Sequence, residues 1–165
     1  MPDERFIHPG EGESDKLTEL TDFEHRVWIA YQLAANDVGV MLDCPAPVQA
    51  LNRNLRKRPV KDIRKALDAM LRLDLLVRFR HGGEHYLCSP LWQDWQSVKY
   101  PRETHLPLPD DSVRARCSDV TRKLFELLES KRRAKRDKLL KDSEPLGNVS
   151  KYSEVASGDS TVNLE

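Results

Sequence analysis

The chain has 165 residues, with 27 Lys and Arg against 27 Asp and Glu, and a mean hydropathy of −0.64. That length allows one compact domain plus extensions, and a charged fraction of 33% is too high for all of it to pack. No apolar run approaches the roughly 18 residues that span a bilayer, and no basic-then-apolar leader opens the chain, so the expectation is a cytoplasmic protein without a membrane partner.

The neutral total hides local asymmetry. From Met1 to His25 eight acidic residues stand against two basic ones, whereas Arg53 to Lys65 carries seven basic residues against Asp62. A second basic run, Arg114 to Lys141, carries eleven against four. Blocks of this kind point to separate surfaces with separate partners.

Residues 1–20, rich in Gly, Pro and acids and without sustained periodicity, read as an irregular acidic arm. A helix then starts at Thr21, which with Glu24 three residues on forms a capping-box signature. Phe23, Val27, Tyr31 and Leu33 to Ala35, with Trp28 and Ala30, give it a broad apolar face. After the turn formers of "NDVG" the stretch Val40 to Leu42 reads as a short strand, and Pro45 and Pro47 suit the first turn of a helix from Ala46 to Asn54. Pro59 begins the next helix. At about 100° per residue, Val60, Ile63, Leu67, Met70 and Leu71 fall in one sector and Lys61, Arg64, Lys65 and Arg72 on an adjoining flank. That helix is expected to end near Leu73, with Asp74 in the left-handed position.

Val77, Phe79 and His81 alternate with Arg78 and Arg80, and Gly82-Gly83 supplies the positive backbone angles of a hairpin turn, giving a two-stranded ribbon. Trp92 and Trp95, one helical turn apart, are expected to close a small core rather than to stack on bases. Prolines make 101–111 an extended linker. A basic helix follows over 112–141, its seam formed by Val113, Cys117, Val120, Leu124 and Leu127, and 142–165 reads as a disordered tail.

The fold class is therefore mainly α with a small β-hairpin (α+β). Helix, strand, helix, helix and hairpin within 21–100 is the order of a winged helix-turn-helix domain.

Motifs of catalysis are absent: no Gly-rich phosphate loop, no GxSxG, no HExxH. The three cysteines, Cys44, Cys88 and Cys117, form no CxxC pair, which suggests neither a disulfide framework nor a zinc knuckle. His81, His85 and Cys88 cluster in the hairpin, but no fourth ligand is evident, so the expectation is neither metal nor cofactor, and no enzyme. What remains is charge on a helix-turn-helix. Such proteins set basic residues against phosphates and the start of the second helix against base edges. The candidate DNA contacts are Arg53, Arg56, Lys57 and Arg58 in the turn, Lys61, Arg64 and Lys65 on the presented helix, and Arg78 and Arg80 on the wing. An ordinary solvated helix face would mix signs more evenly than this block does.

Three phrases, "LTDFEHRVWIAYQLAANDVGVM", "RPVKDIRKALDAMLRLDLLVRF" and "YLCSPLWQDWQSVKYPR", together resemble the N-terminal winged-helix domain of phage and prophage replication proteins of the replisome-organiser type, related to bacterial primosomal proteins. The resemblance spans roughly Arg5 to Pro107. It implies origin DNA binding or primosome assembly, with self-association and replication proteins among the partners, and puts Lys61, Arg64 and Lys65 at the recognition-helix position. Long members carry a sizeable second domain after the linker where this sequence has only a helix and a tail. That leaves helicase loading doubtful and admits either a truncated chain or a short protein that keeps the binding module. Two alternatives to a replication role are a winged-helix transcriptional regulator and an adaptor that oligomerises without DNA. The adaptor would use the acidic arm, Trp92, Trp95 and the seam from Val113 to Leu127.

Overall fold

Local signals set most of the elements seen in the computed structural model, which describes residues 14–142. Helix α1 (Asp15–Thr18) precedes α2 (Asp22–Ala34), which starts on the expected capping box: the Thr21 hydroxyl accepts from Glu24 N–H, and the Glu24 carboxylate accepts from Thr21 N–H at 2.8 Å. Strand β1 (Val40–Leu42) leads to α3 (Pro45–Leu51), a 3-10 turn (Leu55–Lys57) and α4 (Val60–Arg72). Strands β2 (Val77–His81) and β3 (Glu84–Cys88) are joined by Gly82 and Gly83, whose φ angles of 58° and 90° close the hairpin. Asp74 takes the left-handed position after α4, with φ 55°.

The fold is α+β, as expected, but the ribbon has a third strand. β1 pairs antiparallel with β3, giving the order β1-β3-β2, with Val40 opposite Cys88 and Val77 opposite the same residue on the other side. Three residues of strand sufficed because Val40 and Met41 are buried there. The second helix is also shorter than expected. It stops at Leu51, and Leu55 folds into the core at 1% exposure, which a continuous helix to Asn54 would not allow.

Aromatic packing holds the centre. Trp28 meets Trp95 edge-on at 5.0 Å between ring centroids and stacks on Tyr31 at 5.6 Å, while Trp92 meets Tyr31 edge-on. Both Trp92 and Trp95 are thus core, as expected. The Tyr31 hydroxyl donates to the Gly39 carbonyl at 2.6 Å, and burial pushes its pKa well up. Gly39 itself has φ 73° and lies so close to Trp92 that a Cβ there would sit 2.6 Å from the indole, so both its conformation and its neighbour require glycine.

Three expectations about the flanks change. The arm is not wholly irregular: α1 forms, and Leu17 and Leu20 join the core, while 1–13 lie outside the described residues. The segment 101–110 carries no helix or strand yet lies on the core, with Pro101 and Pro109 buried and Arg102 N–H donating to Asp37 at 2.9 Å. The helix expected over 112–141 is two helices, α6 (Asp111–Arg114) and α7 (Asp119–Asp142), following α5 (Trp92–Gln96). Ser118 makes the break: its N–H donates to the Pro90 carbonyl, and its hydroxyl accepts from Thr121 N–H at 3.3 Å as a new cap. The seam therefore shifts. Val120 and Leu127 are 44% and 40% exposed, and Thr121, Leu124, Phe125 and Leu128 are the buried stripe. The described residues divide after Ser130 into two units. The expected tail, beyond Asp142, lies outside the described residues.

Candidate nucleic-acid interface

The candidate site is built on the turn between α3 and α4. Leu55 anchors the turn, and side chains tie its backbone: Gln49 donates to the Arg58 carbonyl at 2.7 Å, and Asn54 N–H donates to Asn52 Oδ1 at 2.9 Å. Arg56 spends one donor on the Ala50 carbonyl, Nε to O 2.7 Å. Arg58 lies over the Phe23 ring, 4.8 Å from its centroid, and pairs with Asp62 at 3.5 Å, which fixes the entry to α4 against α2. Arg53, Arg56, Lys57 and Arg58 are all exposed.

On α4 the core stripe is Ile63, Ala66, Leu67 and Met70, while Val60, placed on that stripe by periodicity, is 51% exposed because it opens the helix. Going round the axis away from the core at about 100° per residue, Arg64 and Asp68 come first, then Lys61, Arg72 and Lys65. The first pair turns to the sheet. Asp43, just after β1, has a side chain only 7% exposed and accepts from Arg64 Nη1 at 2.5 Å and from Arg78 Nε at 2.6 Å. Arg64 also donates to the Asp43 carbonyl at 3.0 Å, and Arg78 reaches Asp68 at 3.4 Å. Two guanidiniums and two carboxylates thus form a neutral cluster that joins α4, β1 and β2.

The nine sequence-selected cations therefore separate. Arg64 and Arg78 are held in the cluster, and Arg58 is shared between Phe23 and Asp62. Arg53, Arg56, Lys57, Lys61, Lys65 and Arg80 are exposed and make no ion pair with a described residue. Arg80 lies opposite His85, on the same sheet face as Arg78, which reaches Asp68 of α4. Asp43 and Asp68 were not among the residues selected. Arg64 lies 21 positions from Asp43 and Arg78 lies 35, and nothing local in the sequence announces such a meeting.

Cys88 and Cys117 are both buried, and the two thiols interact. The Cys88 thiol donates to the Ser89 carbonyl at 3.8 Å and the Cys117 thiol to the Val113 carbonyl at 3.4 Å; interaction with Cys117 and burial raise the Cys88 pKa, while interaction with Cys88, aided by nearby Arg122, Arg114 and Arg116, lowers that of Cys117. His81 and His85 are exposed at the hairpin end, away from that buried thiol. Among the described residues no three His, Cys, Asp or Glu side chains are grouped to hold a metal ion, and no helix is long and apolar enough to cross a membrane. Comparison of the chain with models of known families, with characterised proteins and with solved structures finds no match.

Proposed function

We propose that the chain is a winged helix-turn-helix DNA-binding module, with α3 and α4 as the helix pair, β2–β3 as the wing, and a role of the phage-type replication-initiation or primosome-assembly kind. The observation that carries the reading is the division of labour among the cations. Arg64 and Arg78 are neutralised in the Asp43 cluster and brace the wing against α4, while Arg53, Arg56, Lys57, Lys61, Lys65 and Arg80 stay uncompensated around that joint. A polar face needed only for solubility would not separate its charges this way, whereas phosphate contacts need free cations on a fixed frame.

The N-terminal half of α4, with Lys61 and Lys65, would enter the major groove, and Arg80 would meet the backbone from the wing. A transcriptional role would use the same surface. The adaptor reading loses two of its residues, since Trp92 and Trp95 are buried, but an open groove lined by Tyr100, Val120 and Leu127 keeps a protein contact in play beside DNA binding. Whether the basic flank faces the acidic arm turns on 1–13, outside the described residues.

The test is duplex affinity against salt. Six phosphate contacts give a slope of log K on log salt near −5. Lys61→Glu with Lys65→Glu should weaken duplex binding and make its salt slope shallower while leaving sedimentation unchanged; a flat salt dependence, or oligomerisation lost with DNA binding intact, would refute the reading.

A further inference from the structure

The candidate interface leaves the second basic block unused. Lys131 to Lys141 holds seven cations against Asp137, and α7 continues through it as regular helix. Every residue from Lys131 to Asp142 is exposed except Arg132, which is half-buried. At about 100° per residue the cations run all the way round the axis, with no apolar stripe between them. Leu139 and Leu140 are each 61% exposed and, as sequence neighbours, do not share a face.

That distribution narrows the partner. A helix that docks in a protein groove presents anchors at three- and four-residue spacing, and one that lies on a membrane presents an apolar side. This segment has neither. Arg133 and Arg136, and Lys138 and Lys141, lie about one turn apart, and such like-charge pairs work against the helix they belong to. A partner that neutralises them strengthens the helix. The charge density is also telling: eleven helical residues span about 16 Å, so seven cations fall about every 2.4 Å, close to the roughly 1.7 Å per charge of duplex DNA. An acidic protein surface would meet one face and leave the others. The major groove, about 12 Å wide and walled by phosphates on both sides, admits a helix of about 10–12 Å and sets phosphates along two opposite flanks of it at once.

We propose that Lys131–Lys141 is a second nucleic-acid-binding element, a cationic helix that takes duplex phosphate independently of α4. Its contacts are with backbone and therefore indifferent to sequence. The proposal does not require the α4 reading to be correct.

The experiment compares three full-length proteins on a short random-sequence duplex across a salt series: the unaltered chain, Lys131→Gln/Arg133→Gln/Arg136→Gln/Lys138→Gln, and Lys61→Glu/Lys65→Glu. Removing four phosphate contacts should make the salt slope shallower by about 3.6 in the tail variant. The α4 variant should retain salt-dependent binding through the tail, and duplex should raise the far-ultraviolet helix signal of the unaltered chain but not of the tail variant. If the tail variant keeps the slope and affinity of the unaltered chain, the inference fails while the α4 reading stands. If the tail variant alone loses binding, the inference holds and the α4 reading fails. Polyglutamate at equal charge concentration should not displace the duplex; displacement would assign the helix to an acidic protein and overturn the proposal.

Discussion

Removing the Asp43 carboxylate tests the frame on which the proposed interface stands. Asp43→Ala deletes two charge-assisted hydrogen bonds, to Arg64 at 2.5 Å and Arg78 at 2.6 Å, each of a type worth about 1.5–3 kcal/mol. It also leaves two guanidiniums facing each other without their shared acceptor. Their side chains are 30% and 41% exposed, so water recovers part of the loss, and the net cost is about 2–4 kcal/mol. Urea denaturation should show a lower midpoint at unchanged slope, and Asp43→Asn, which keeps one acceptor oxygen, should lose about half as much. In a double-mutant cycle with Arg64→Ala the coupling should be about 1–2 kcal/mol. A loss under about 0.5 kcal/mol, or strict additivity, would refute the cluster as a brace. Function gives an independent reading. Asp43→Ala adds a net positive charge yet should weaken duplex binding, because β2 is no longer held to α4; tighter binding would mean that charge alone, without the frame, governs affinity.

Gly39→Ala should cost about 2–5 kcal/mol, combining the strain of an L-residue at φ 73° with the overlap of a Cβ 2.6 Å from Trp92. Chemical denaturation measures the loss, and the near-ultraviolet dichroism should change as the indole moves; a loss below about 1 kcal/mol would contradict the close approach. Asp110 caps α6, its carboxylate accepting from Val113 N–H at 3.1 Å, and Asp110→Ala should cost about 1 kcal/mol at neutral pH. The hydrogen bond from the Ser112 hydroxyl, with that from Val113 N–H, holds the Asp110 pKa below its ordinary value. The folded-state pKa is the lower one, so the contribution is fully present above the ordinary carboxylate range and is lost as pH falls through the lowered value. The gap between wild type and Asp110→Ala should accordingly close only in acid, and a gap that persists there would show that the carboxylate charge is not what caps the helix.

What was legible in the sequence was what short-range chemistry decides. Thr21 and Glu24 are three residues apart, Gly82 and Gly83 adjoin, and Asp74 comes just after the Leu73 cap of its helix, so the start of α2, the hairpin turn and the end of α4 could be placed from neighbours alone. The pairing of β1 with β3 joins residues nearly fifty positions apart, and only packing of Val40 and Met41 selects it. The break at Ser118 was hidden by periodicity. Val113 and Cys117 are both buried and Leu124 follows at a helical interval, so a spacing argument runs straight through a capped restart. Among the site residues the basic character of the turn and of α4 was plain, but charge in a sequence does not say which cation is spent. Arg64 and Arg78 look like Lys61 and Arg80 until Asp43 is placed between them.

The two basic blocks show why composition alone could not tell such residues apart. Arg53–Lys65 and Lys131–Lys141 both carry seven cations against one acid, yet folding uses them differently. In the first, a core stripe fixes the helix, Arg58 and Arg64 are paired, and the rest occupy set positions on a braced surface. In the second no buried stripe exists, and the charges surround the axis. Fixed positions can discriminate among sequences, because base edges are read only by side chains held in register. An all-round cationic helix can add affinity but not discrimination, since every duplex offers it the same phosphates. Neutralising the second block should therefore lower affinity for specific and random duplex by the same factor, whereas disturbing the Asp43 brace should lower the ratio between them.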